Sequence, residues 1–174
     1  MWGDDGINPN DIYQGDLGNC WFMQGASALA EKPQRLEKVF LNTELSNNGI
    51  YGCQMYALGI PVTVTIDDSL PIDSHGNALF ARVSKDKALW GPLIEKCFAK
   101  LHGNYEAIEF GNSAFAIDNL HGSPSTTHRH RDKKGNAKYN SDEMFNLIKQ
   151  ADANEDMISA STPGAPGSHL ERKT

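Results

Sequence analysis

The chain has 174 residues, with 16 basic and 22 acidic residues giving a formal charge of −6. That length holds one core of ordinary size, or part of a larger one, without a metal or disulfide staple. The acidic balance excludes general nucleic-acid binding, which needs a basic face to release counterions, and 39% apolar with 22% charged residues is a globular rather than a disordered or membrane composition.

Residues 1–19 are rich in Gly, Asn, Asp and Pro (GDDGINPND, then QGDLGN) and read as irregular loop leading into something buried. The uncharged string CWFMQGASALA predicts a central, buried helix from Cys20 to Ala30. Asn19 is placed to cap it, Gly15 and Gly18 allow a tight approach, and Lys32-Pro33 ends it. A short amphipathic turn from Pro33 to Leu41 precedes two or three strands within YGCQMYALG, IPVTVTIDDSLPID and NALFARVS. Val62, Val64 and Ile66 alternate with Thr63 and Thr65, the period of a strand with one buried face, and Asp67-Asp68 ends it as a solvated acidic pair.

Trp90, Leu93, Ile94, Cys97, Phe98 and Leu101 recur at helical spacing between Lys87 and His102, with Gly103 at the expected left-handed cap. Ser113–Leu120 reads as a short helix, and Ser141–Ala151 as a clearer one with Met144, Phe145 and Ile148 on its apolar face. Between them SPSTTHRHRDKKGNAKY is polar, locally basic and aperiodic, an exposed loop. MISAST is a candidate strand, and TPGAPGSHLERKT has turn residues without a closing element.

No apolar stretch approaches the roughly 18 residues of a membrane span, and MWGDDGINPNDIYQGD has neither a basic nor an apolar region of a signal peptide. Three cysteines at wide spacing, Cys20, Cys53 and Cys97, make neither a disulfide framework nor a CxxC zinc pair. A soluble cytoplasmic protein with reduced thiols, no membrane span and no nucleic-acid partner is expected.

The segment QGDLGNCWF, residues 14–22, carries the chemistry. A cysteine in the first turn of a buried helix sits at the positive end of the helix dipole, which favours thiolate. Amides at a helix start point toward an oxyanion formed on an attacked carbonyl, and Gln14 adds a side-chain donor.

QGDLGNCWFMQGASALA resembles the active-site signature of the calpain family of papain-like cysteine endopeptidases, in which a Gln-Gly-x-Leu-Gly-Asp-Cys-Trp string opens the central helix. VTVTIDDSLPI resembles the family's strand and Asp-Asp-x-Leu-Pro turn, and LWGPLIEKCFAKLHGNYEAI its long Leu-Leu-Glu-Lys helix. The resemblance runs in order from residue 11 to about 120. It implies an α+β, papain-like fold, mainly the helical cysteine lobe with a small antiparallel strand region. The implied divisions are 1–19, the loop to the active site; 20–122, the cysteine lobe; 123–140, an exposed loop; and 141–174, the truncated start of a second lobe.

By the same resemblance Cys20 is the nucleophile, Gln14 the oxyanion-hole glutamine, and Trp21 and Gly111 line the substrate cleft. Phe110 stands where the family has the first glycine of a pair, and Asn19 where it has aspartate. A calcium site is implied at Asp11, with backbone oxygens near Asp4 and Gly6. Ala88 occupies the position of a second acidic ligand, which weakens a site that needs about six to eight oxygens.

A thiol nucleophile needs a base to hold it as an ion pair and protonate the leaving amine. His75 and His102 come too early; His121 ends a helix; His128 and His130 belong to the basic loop. His169 lies 149 residues after Cys20, but SHLERKT lacks the Gly-His-Ala-Tyr strand of the family. The resemblance therefore implies that the histidine and asparagine belong to a missing second lobe, and that the chain alone is inactive. Two functions are expected from it: a calcium-dependent cysteine endopeptidase acting on extended protein segments, or a non-catalytic calpain-like binding or regulatory module.

Overall fold

The computed structural model describes residues 1–132 and 134–161. Five α-helices and a β-hairpin follow in chain order: α1 (Cys20–Ala30), α2 (Pro33–Glu37), β1 (Ile50–Ala57), β2 (Ile60–Asp67), α3 (Trp90–His102), α4 (Ser113–His121) and α5 (Ser141–Ala153). This is a mixed helix and strand fold with one small antiparallel sheet. Among the described residues no helix is long and apolar enough to cross a membrane.

Helix α1 is buried because its residues, Gln24 apart, are small or apolar; Phe22, Ala26 and Leu29 have no exposure. Gly25 lets α4 come close, since a Cβ there would stand 2.9 Å from that of Ala116. α3 follows the amphipathic pattern and buries Trp90, Leu93, Ile94, Cys97 and Phe98 completely. The Phe22 and Phe98 rings stack at 4.2 Å and join the two helices. Full burial of such side chains is worth about 1.5–3 kcal/mol each, so the helix that begins at Cys20 is held rigidly.

β1 and β2 pair in the register Cys53 to Val64, closed by Leu58 and Gly59, both at positive φ (52° and 78°), as a two-residue hairpin turn requires. Val64 and Ile66 face the core while Thr63 and Thr65 face solvent, as the alternation predicts. α3 is stitched to β2 by Lys100, whose Nζ donates to the Thr65 carbonyl at 2.6 Å, and by Lys96, whose Nζ meets Asp67 Oδ1 at 2.5 Å. That ammonium, with Ser69, holds the Asp67 carboxyl down to about 2, so Asp67 is an ion-paired strand end rather than a merely solvated one.

Several sequence expectations change. NALFARVS forms only isolated bridges, Ile72 with Ala78 and Tyr13 with Arg82, because its partners are loops that offer no second strand. Gly103 closes α3 at φ 111°, positive but outside the left-handed helical region. α5 forms with a full capping box, Asn140 with Glu143, yet buries no residue, so its apolar face has no cover among the described residues. Residues 157–161 are not a strand, and the rest of the tail, His169 included, lies outside the described residues. The described residues of the 123–140 loop are mostly exposed, as expected, and include a tight turn bridged by Arg131 and Ala137.

Candidate active site

Cys20 is the first residue of α1 and is exposed, whereas Cys53 and Cys97 are buried. The next three residues, Trp21, Phe22 and Met23, are buried, so the thiol stands at the surface end of an otherwise buried helix. The first amides of a helix have no intrahelical acceptor. Here Phe22 and Met23 donate to the Asn19 carbonyl at 2.9 and 3.2 Å, leaving the amides of Cys20 and Trp21 as the foremost donors of the helix end.

Asn19 does not cap the helix with its side chain. It is wholly buried and turns toward α3, where its Nδ2 donates to Glu95 Oε1 at 2.7 Å. The second carboxylate oxygen of Glu95 accepts the Ala81 amide at 2.8 Å. One buried carboxylate thus joins Asn19, the residue before Cys20, to Ala81. Burial pushes the Glu95 carboxyl above its ordinary range, against the lowering effect of the two donors. A single acid among the apolar residues of LIEKCF was the sequence signal for this role, although the helical pattern alone does not say what it meets.

The loop ahead of Cys20 is fixed by backbone contacts. Asp16 donates to the Leu79 carbonyl at 2.8 Å, and a Cβ on Gly15 would lie 2.1 Å from the Phe80 carbonyl oxygen, so only glycine fits there. Gly18 has no such constraint, its nearest neighbour being the Phe110 ring at 3.8 Å. Gln14 is exposed and donates one Nε2 hydrogen to the Leu17 carbonyl at 2.6 Å. A side-chain amide carries two such hydrogens, so one is left for another acceptor.

Trp21 and Gly111 come together. The indole Nε1 donates to the Ile108 carbonyl at 3.0 Å, and Gly111 lies on the ring, where a Cβ would stand 2.3 Å from Cε2. Phe110, at the family's glycine position, keeps a glycine-like conformation with φ 56° and donates its amide to the Gly18 carbonyl at 3.0 Å. The Gln14–Cys20 loop and the Phe110–Gly111 turn are therefore joined beside the thiol.

Asp11, Asp4 and Gly6 lie on the N-terminal loop, which is pinned to the start of α3. Trp2 bridges Ala88, Asp4 donates its amide to the Asp86 carbonyl at 2.8 Å, and Lys87 Nζ meets Asp4 Oδ2 at 2.8 Å. Asp11 is buried, and its Oδ2 accepts from the Asn8 amide at 3.1 Å and the Trp90 indole at 3.2 Å. Burial, and the Asp86 carboxylate facing it, push its carboxyl above the usual range against those two donors. Ala88 has only its backbone carbonyl to offer, and that oxygen already accepts from the Ser84 amide at 3.2 Å.

Asp86, two residues earlier, was not singled out from the sequence. One of its oxygens takes the Ser84 hydroxyl, while Oδ2 is buried with no hydrogen-bond partner. Gly3 makes the space, because a Cβ there would lie 2.0 Å from that oxygen. An orphaned carboxylate oxygen beside a second carboxylate suits a hard cation. Yet no three acidic, histidine or cysteine side chains converge among the described residues, so the donor set suits weak binding completed by backbone oxygens.

None of the histidines at 75, 102, 121, 128 and 130 hydrogen-bonds to Cys20. His75 is exposed beside Asp73. His102 packs against Phe98 and Phe115 at 4.5 and 5.6 Å, and burial lowers its pKa. His121 meets the Ser123 hydroxyl at 2.5 Å, and His128 the Tyr139 hydroxyl at 3.4 Å.

The family model described as calpain family cysteine protease matches residues 2–174. The chain is 30% identical over 164 residues to the calpain-type cysteine protease DEK1 of Zea mays, which covers 94% of this chain and 8% of that protein. It is 35% identical over 155 residues to Calpain-5 of Caenorhabditis elegans, covering 84% and 24%, and 31% identical over 159 residues to Calpain-12 of Homo sapiens, covering 88% and 21%. It thus spans less than a quarter of the length of each of these relatives. With an exposed cysteine opening a buried helix and a family match along nearly all of its length, the chain belongs to the calpain family of cysteine proteases.

Proposed function

We propose that this chain is the nucleophile-bearing lobe of a calpain-type cysteine endopeptidase that cleaves extended segments of protein substrates. The observation that carries the reading is the position of Cys20, its exposed thiol at the head of a helix whose following residues are packed into the core. The Cys20 sulfur bonds to the carbonyl carbon of the scissile peptide while the carbonyl π electrons move to oxygen. That oxyanion is met by the foremost amides of α1 and by the second Nε2 hydrogen of Gln14. Collapse breaks the C–N bond, the departing amine takes a proton, and water then hydrolyses the thioester to release the acid and the thiol.

The proton carrier in this reaction is a histidine, and none of the five described ones hydrogen-bonds to Cys20, so we assign it to a second lobe together with the asparagine that orients it. Trp21 and Gly111 form one wall of the substrate cleft. Calcium is part of the proposal: Asp11 and Asp86, with backbone oxygens of Asp4 and Gly6, would hold it, and bound there it would supply a positive charge that cross-links the N-terminal loop to the start of α3. A cytoplasmic setting agrees with three free thiols.

The test is cleavage of casein by a longer protein containing this chain, with Cys20→Ala beside it. Cleavage abolished by Cys20→Ala is expected, and none from residues 1–174 alone. Cleavage that survives Cys20→Ala removes the nucleophile assignment. A longer protein that carries the histidine and asparagine yet binds protein segments without cleaving them would favour the non-catalytic module.

A further inference from the structure

Cys53 and Cys97 take no part in the chemistry at Cys20, yet the fold brings them together. Cys53 lies on the core face of β1, directly opposite Val64 of β2, and directly opposed residues of an antiparallel pair carry their side chains on the same face. Cys97 descends on that face from α3, its Sγ 4.0 Å from the Val64 carbonyl oxygen. Neither residue has any exposure. The Cys97 sulfur is the strongest influence on the Cys53 thiol, through hydrogen bonding, and with burial it pushes that thiol well above its ordinary range.

A single buried cysteine is an ordinary small apolar residue. Two of them, brought together from a strand and a helix far apart in sequence, make a dithiol. With Cys53 held un-ionised the pair is no second nucleophile, and the chemistry open to adjacent thiols is to join.

We propose that Cys53 and Cys97 form a disulfide when the protein meets a hydroperoxide, a covalent latch between β1 and α3. One sulfur bonds to a peroxide oxygen and the O–O bond breaks, giving a sulfenic acid and releasing water or an alcohol. The other sulfur then displaces the sulfenic oxygen as water and the S–S bond forms. The two thiols lose two electrons, the peroxide gains them, and both thiol protons leave on the released oxygens. Burial makes the first step slow, because thiolate is the reactive form. It also makes the bond lasting, because a reductant reaches it only when the core opens. The latch ties the hairpin to the helix whose Glu95 holds Asn19, so the support of Cys20 is stiffened without Cys20 being consumed.

The experiment treats the full chain carrying Cys20→Ala, which removes the exposed thiol, with hydrogen peroxide. Remaining thiols are alkylated in urea and the digest is read by mass spectrometry, beside a thermal melt of the same sample. The peptides bearing residues 53 and 97 are expected to be linked and to separate in dithiothreitol. Because the bond closes a loop of about 45 residues, the melting temperature should rise by about 5–15 °C and fall back on reduction. Cys53→Ala and Cys97→Ala, each added to Cys20→Ala, should lose both the link and the rise. Residues 53 and 97 that stay alkylatable after peroxide, or that go on to sulfinic acid unjoined, overturn the proposal. So does a link without a rise, or a rise that persists in both variants.

Discussion

Asn19 Nδ2 donates to Glu95 Oε1 at 2.7 Å across 76 positions of sequence, fixing the residue before Cys20 to the middle of α3. Glu95→Ala leaves the Asn19 and Ala81 donors buried without acceptors, at about 1–3 kcal/mol each, so a loss of about 2–6 kcal/mol is expected in urea denaturation. Glu95→Gln should cost less than about 1.5 kcal/mol. Its carbonyl accepts Ala81, and its amide donates to Asn19 Oδ1, which has no partner in the native fold, once the Asn19 amide turns over.

The same pair sets a pH dependence. The Glu95 carboxyl is raised in the fold, so the fold favours its protonated form. The stability it contributes is full below the unfolded value of about 4.3 and is lost as pH rises through the folded value. Denaturation from pH 4 to 8 should show this decline in the native protein and a flatter profile in Glu95→Gln. Equal slopes would mean that Glu95 titrates as it does in the unfolded chain.

Thiol labelling tests the exposure of Cys20. Only Cys20 of the three cysteines is exposed, so iodoacetamide should modify one thiol in native protein and three in urea. Cys20→Ala should reduce the native count to none, as read by mass spectrometry.

The glycines near the thiol should separate by what their missing Cβ would meet. Gly111→Ala drives a methyl into the Trp21 ring and should cost about 1–3 kcal/mol with a shift in tryptophan emission. Gly15→Ala meets the main-chain carbonyl of Phe80, which has less freedom to yield, and should cost more. Gly18→Ala has room and should stay within about 0.5 kcal/mol of the native protein. Thermal unfolding of the three variants checks the order.

If Asp11 and Asp86 hold calcium with the millimolar affinity of a site poor in carboxylates, 10 mM calcium should stabilise the protein by about 1.4 kcal/mol. Asp86→Asn should remove the shift in a thermal melt. No shift in the native protein would take calcium away from these residues.

The sequence by itself determined the helix from Cys20 to Ala30, the alternating strand ending at Asp67, the long amphipathic helix from Trp90 and the family of the chain. Each is written in local periodicity, or in a motif whose spacing is fixed by one turn of backbone. It also marked Cys20, Gln14, Gly111 and Trp21. Only the tertiary structure decided which polar groups meet. Asn19 has the residue type of a helix cap, but its burial against α3 gives it to Glu95. Asp86 looks like any loop acid until Gly3 and Asp11 are brought beside it. Phe110 is one phenylalanine among seven until its amide, donated to the Gly18 carbonyl, joins its turn to the loop ahead of Cys20. Hydrogen bonds and ring contacts between distant segments depend on three-dimensional proximity, which hydrophobic periodicity does not encode.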